Sequence, residues 1–204
     1  MTTTTANEIR VVRSDERTGI ALTAGMQAPA FQVQRTLRGG PLSLDSLRGG
    51  PVLLKFYRFA TCPVCNLHMH HFIKRHGEIE AAGLRTVVFF HSSLARLEKE
   101  IDRALPFAVV PDPDKDIFRA YGVTQSWAGM FRARVWADYG RAMARGLSPG
   151  MLSHDGGIKG HPADFLLDAT GTIRLAHYGA HYADSLDADA VVQAVEDLNL
   201  KGTP

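Results

Sequence analysis

Apolar positions along this chain change period several times, and each change marks an element. From Phe31 to Thr36 apolar and polar residues alternate, as in a strand with one buried face. Gly39-Gly40-Pro41 turns the chain, and Pro41 to Leu44 returns as a short partner. Val52-Leu53-Leu54-Lys55-Phe56-Tyr57 is an apolar run of strand length, as expected for a strand buried on both faces. A helix follows from about Cys62 to Ala82, in which Cys65, Met69, Phe72, Ile73 and His76 share one stripe. That stripe turns Cys65 toward the core. Thr86 to Phe90 is the next strand, and Ser92 or Ser93 caps a helix through about Ala104. Phe107 to Val110 gives another strand, closed by Pro111-Asp112-Pro113 before a helix to Tyr121. Asp164 to Leu167 and Thr172 to His177 flank Asp168-Ala169-Thr170-Gly171, the pattern of a hairpin. Asp187 caps a last helix whose buried face is Val191, Val192, Val195 and Leu198. This order predicts an α/β domain with a mixed central sheet flanked by helices.

Two stretches stand apart. Residues 1–24 read as a polar arm or a short helix, ahead of a domain over 25–204. Between about 124 and 160, Trp127, Phe131, Val135, Tyr139 and Ala142 recur at helical spacing among Arg132, Arg134, Arg141 and Arg145. The pattern predicts an inserted helix, its apolar stripe on the domain and its basic face in water. A formal net charge of +2, with no long basic run, gives no footprint for nucleic acid. The polar start lacks the charged and apolar regions of a signal peptide, and no apolar run is long enough to span a bilayer. The expected location is the cytoplasm, with no membrane partner.

The chain has only two cysteines, Cys62 and Cys65, in Thr61-Cys62-Pro63-Val64-Cys65. A bridge between such near neighbours closes a tiny loop and stabilises weakly, so its use is chemical. At a helix start the free N–H groups and the dipole favour thiolate over thiol. On that geometry Cys62, capped by Thr61, is exposed and attacks a substrate disulfide, and Cys65 resolves the mixed disulfide. Lys55, unusual in an apolar strand, either lowers the thiol pKa as a buried cation or extends its charge to the surface. His68, one turn beyond Cys65, assists proton transfer, completes a metal site, or sits on a solvated face. A haem attachment is excluded because Asn66, not histidine, follows Cys65.

At these residues the chain resembles the thioredoxin superfamily, particularly its peroxiredoxin-like (alkyl hydroperoxide reductase/thiol-specific antioxidant) branch. The likeness is carried by Gly25 to Phe31, Phe56-Tyr57, Pro111-Asp112-Pro113-Asp114 running to Tyr121-Gly122-Val123, and Phe165-Leu166-Leu167-Asp168 with Gly171. It implies a thioredoxin-like fold, a thiol-dependent enzyme without organic cofactor or metal, and an external thiol reductant acting with a disulfide or peroxide substrate. By analogy alone it implies a homodimer. It also implies that Pro162 is a cis-proline opposite the cysteines, with His161 bordering the sulfurs. Peroxiredoxins carry a proline, a threonine and the reactive cysteine in one loop, with an arginine from a later strand. Aligned without gaps, Cys65 takes the reactive position, Arg58 replaces the proline, Cys62 the threonine and Pro162 the arginine. Arg58 then either replaces the missing arginine or is a surface charge. The leading expectation is a disulfide oxidoreductase using Cys62 and Cys65, supported by Thr61, Pro63, His161, Pro162, Lys55 and Arg58. The alternatives are a thiol peroxidase, and a metal-binding or interaction protein using Cys62, Cys65 and His68 or His161.

Overall fold

The computed structural model describes residues 9–12, 20–102, 104–123, 160–198 and 200. The helix expected between about 124 and 160 lies outside them.

Among the described residues, five strands form the central sheet: β4 (Val52–Phe56), β5 (Arg85–Phe90), β6 (Ala108–Pro111), β7 (Ala163–Leu167) and β8 (Ile173–Tyr178). Their spatial order is β6-β5-β4-β7-β8. β4 pairs in parallel with β5 and antiparallel with β7, so it sits at the centre. All five of its residues are buried, which is why its sequence reads as a continuous apolar run broken only by Lys55. A smaller antiparallel sheet joins β1 (Ile9–Val12), β2 (Ala30–Val33) and β3 (Leu42–Ser43). The strand at Ile9–Val12 corrects the expectation of a polar arm or helix there. It is defined by pairing with β2, from Ile9 opposite Val33 to Val12 opposite Ala30, and not by a periodic pattern of its own.

Strand alternation divides the core between the sheet's two faces. Leu53, Tyr57, Val88, Phe90 and Leu166 pack with α1 (Pro63–Lys74), α2 (His76–Ala81), α3 (Leu94–Glu100) and α5 (Ala188–Asp197). Leu54, Phe56, Val87, Phe89 and Phe165 pack with α4 (Asp116–Ala120) and β2. At the centre of that second face the Phe56 ring stacks on Phe89, with centroids 4.7 Å apart, and meets Phe118 edge-on at 5.0 Å.

The long helix expected through Ala82 is interrupted. Arg75 leaves the helical basin (φ −103°, ψ 7°), and α2 restarts at His76. Gly77, a weak helix former, follows the break, and Arg75 forks to Glu78 and to Asp189 of α5. Ser93 caps α3 by accepting from the Arg96 N–H, whereas Ser92 accepts from the Ala60 N–H in the loop after β4. Asp187 caps α5 through the Ala190 N–H, as its sequence position predicts.

Candidate active site

The site grows out of the C-terminal end of β4, where the chain leaves the sheet beside β5. Backbone hydrogen bonds tie the loop down: the Tyr57 N–H donates to Phe89 O (2.9 Å), and the His91 N–H to Arg58 O (3.0 Å). The Ser92 hydroxyl holds Ala60, and the Asn66 side chain donates to Ala60 O. With the loop fixed, α1 begins at Pro63, a position whose missing N–H needs no partner.

The N-cap of α1 is Cys62 itself, not Thr61. Its Sγ accepts from the Cys65 N–H at 3.4 Å, the place a serine or aspartate oxygen would normally fill. Cys65 Sγ lies 2.8 Å from Cys62 Sγ. Both cysteines are free thiols, and both are buried, at 0% and 2% exposure. The burial of Cys62 corrects the expectation of an exposed first sulfur.

Arg58 supplies the charge. It is buried, its Nη1 is 3.6 Å from Cys62 Sγ, and its guanidinium lies 5.0 Å from the Phe59 ring centroid and 3.9 Å from that of Tyr182. Burial alone would push the Cys62 thiol up. The hydrogen bond from Cys65 Sγ–H, the Arg58 charge and the N–H groups of Cys65 and Val64 outweigh it and bring Cys62 down to about 6. Cys65 moves the other way. Burial, its hydrogen bond to Cys62 and the negative charge there hold it well above an ordinary thiol. The surroundings therefore favour ionisation at Cys62 over Cys65.

Lys55 does not reach the surface. Its Nζ is wholly buried, 2.6 Å from Asp164 Oδ1 on β7 and 2.9 Å from Leu186 O, with the Phe72 ring centroid at 4.7 Å. Its charge is paired with Asp164, and the cation that stands beside the thiols is Arg58. Pro162 does enter the strand beside β4, where Ala163 pairs with Phe56, but its peptide bond is trans. His161 reaches the site indirectly, its ring edge-on to Tyr182 with centroids 5.5 Å apart. His68 faces elsewhere. It lines a cleft of about 300 Å³ between α1 and the start of α5, with His71, Arg75 and Asp187. Burial, then the Lys55 charge, lower its pKa. Among the described residues, no three His, Cys, Asp or Glu side chains gather as a metal site.

Sequence reasoning missed Tyr182 and Asp164, which come from the distant C-terminal part of the chain. It also gave no role to Tyr57, whose hydroxyl is held well above an ordinary phenol by burial and by the charges of Asp164 and Cys65.

The AhpC/TSA family model matches residues 24–176, well over half of the chain. The chain belongs to the AhpC/TSA family. Peroxiredoxin 2 of Thermoplasma acidophilum is 29% identical over 112 residues, which are 52% of this chain and 55% of that protein. The thiol-disulfide oxidoreductase ResA of Halalkalibacterium halodurans is 32% identical over 102 residues, 49% of this chain and 57% of that one. The chain thus spans little more than half the length of these curated relatives. Among solved structures, Mycobacterium bovis AhpC superposes with a TM-score of 0.62 at 18% identity, covering 88% of this chain and 94% of that one. The thiol peroxidase from Chromobacterium violaceum gives 0.59 at 16%, covering 88% and 90%. This AhpC/TSA chain has the thioredoxin-like fold expected from its sequence, with a Cys-x-x-Cys pair at the end of its central strand.

Proposed function

We propose that the protein is a thiol-dependent oxidoreductase that cycles between a Cys62–Cys65 dithiol and disulfide, with Cys62 as the attacking sulfur. One observation carries this reading: a sulfur at a helix N-cap, with Arg58 Nη1 at 3.6 Å and the second sulfur at 2.8 Å. Against a disulfide, the Cys62 thiolate attacks one substrate sulfur, a mixed disulfide forms, and the other half leaves as thiolate. Cys65 then gives up its proton and attacks Cys62 Sγ. The mixed disulfide breaks, the second half leaves, and two electrons have passed to the substrate. An external thiol donor reverses the exchange and restores the dithiol. The sulfurs carry the electrons, so the scheme needs no organic cofactor.

A second reading, thiol peroxidase, is favoured by the burial of both sulfurs and by the guanidinium at the thiolate. A small peroxide fits such a site better than a protein disulfide does. Cys62 would attack one oxygen, and the O–O bond would break with an alcohol or water leaving after protonation. Cys65 would then condense with the sulfenic acid, releasing water and giving the same disulfide. The names of the relatives fall on both sides of this choice. The trans bond at Pro162 removes one support expected for the first reading.

Insulin reduction and hydrogen peroxide consumption, measured on one preparation, separate the two. Both readings expect Cys62→Ser to abolish turnover. Cys65→Ser leaves the first step intact, trapping a mixed disulfide with a disulfide substrate or a sulfenic acid with peroxide. Activity surviving Cys62→Ser but lost in Cys65→Ser would overturn the assignment of the attacking sulfur. A dithiol of this kind suits a reducing compartment such as the cytoplasm. Among the described residues, no helix is long and apolar enough to cross a membrane.

A further inference from the structure

The segment between β8 and α5 crosses the site as a strap touching both buried cations. At one end the Gly179 N–H donates to Pro162 O (2.9 Å), and the Ala180 N–H donates to Asp184 Oδ2 (2.7 Å). At the other, the Ser185 hydroxyl and the Leu186 N–H donate to the two oxygens of Asp164, at 3.1 and 2.7 Å. Gly179 is required by close approach: a Cβ there would collide with Asp184 O and lie 2.9 Å from Pro162 O. Between these anchors stands Tyr182. It is 3% exposed, with the Arg58 guanidinium 3.9 Å from its ring centroid and the His161 ring edge-on to it at 5.5 Å. Its hydroxyl has no hydrogen-bond partner among the described residues, so what it offers Arg58 is the face of the ring.

Building on the reading of Cys62 as the attacking sulfur, we propose that Tyr182 is a positioning residue whose ring holds the Arg58 guanidinium against Cys62 Sγ. An arginine side chain has many rotamers, and its charge helps a thiolate only while it stays close. The electron-rich face of Tyr182, at 3.9 Å, and the Phe59 ring, at 5.0 Å, both attract the guanidinium where its Nη1 lies 3.6 Å from the sulfur. The nearer ring favours that position over other rotamers. The strap thereby sets how readily Cys62 ionises, although it comes from the far end of the chain.

The test is the pH dependence of Cys62 alkylation by iodoacetamide in the reduced protein, followed by mass spectrometry of the Cys62 peptide. Wild type should show an inflection near 6. Tyr182→Leu should raise it by roughly half to one pH unit. Tyr182→Phe, which keeps the ring, should retain the wild-type inflection. In an Arg58→Met background, Tyr182→Leu should produce no further shift, since the ring acts through the guanidinium. Should the leucine variant not fold, Tyr182→Met fills more of the volume without an aromatic face and should show the same rise. A folded non-aromatic variant with the wild-type inflection would overturn the proposal while leaving Cys62 as the attacking sulfur. So would an equal shift with and without Arg58. A wild-type inflection at the ordinary thiol value of about 8.5 would overturn both.

Discussion

Lys55 and Arg58 are buried cations on one short stretch of chain, yet their charges do opposite work. Lys55 leaves β4 toward the face covered by α1 and α5 and meets Asp164, which also accepts from Ser185 and Leu186. Every charge in that group is matched by a partner within hydrogen-bond reach, so the network joins β4, β7 and the strap. Arg58, past the strand end, lies against two aromatic rings and turns Nη1 toward a sulfur. There the guanidinium stands within reach of the Cys62 sulfur, where a positive charge favours thiolate over thiol. Closeness to a thiol along the sequence therefore says little; what matters is where the folded chain places the charge.

The comparison is easiest to break through stability. Lys55→Met or Asp164→Ala alone strands one buried charge, and each should cost about 3–5 kcal/mol in urea denaturation. The double variant Lys55→Met/Asp164→Leu should recover most of that loss. Single variants losing under about 1 kcal/mol would place the pair with ordinary surface bridges.

Arg58→Met should reverse the pattern. Its fold should hold, while the Cys62 alkylation rate at pH 7 should fall several-fold, up to roughly tenfold, and return as pH is raised. A loss that persists at pH 9 would mean that Arg58 acts by something other than its charge on the thiolate.

A smaller effect follows from proton linkage in the reduced protein. The folded Cys62 value of about 6 lies below that of an ordinary thiol. Its thiolate contributes stability that is present above the unfolded thiol value and lost as pH falls through 6. Cys65 is held up, so its contribution is present below the ordinary thiol value and declines at higher pH. The stability difference between wild type and Cys62→Ala should therefore grow between pH 6 and about 8.5. A difference that stays flat over that window would contradict the thiolate assignment.

Smallest of all, Lys55→Met/Asp164→Leu should move the Cys62 alkylation inflection by no more than a few tenths of a pH unit, well short of the Arg58→Met shift. An equal shift would mean that the two cations share the thiolate.

Much of the fold was legible because long apolar runs leave few alternatives. β4, β5 and the β7–β8 hairpin follow from the runs at Val52, Thr86 and Asp164, and the cap at Asp187 follows from a side chain that binds a free N–H group. Ser92 and Ser93, by contrast, were told apart only by the structure. β1 was not legible, because four residues paired at a sheet edge carry no period long enough to read. Nor was the break at Arg75, which coincides with contacts to Glu78 and to Asp189 on another helix.

By itself, the sequence determined the order along the chain of the strands in the central sheet, the family resemblance, and the placing of Cys62 and Cys65 at a helix start. These depend on local periodicity and on residues a few positions apart. Tertiary structure decided how deeply both sulfurs are buried and which cation stands beside Cys62. Burial, the trans bond at Pro162, the Asp164 partner of Lys55 and the Tyr182 ring beneath Arg58 all arise where separate segments meet. A pKa reports the sum of desolvation and neighbouring charge in three dimensions, and no spacing along one segment contains that sum.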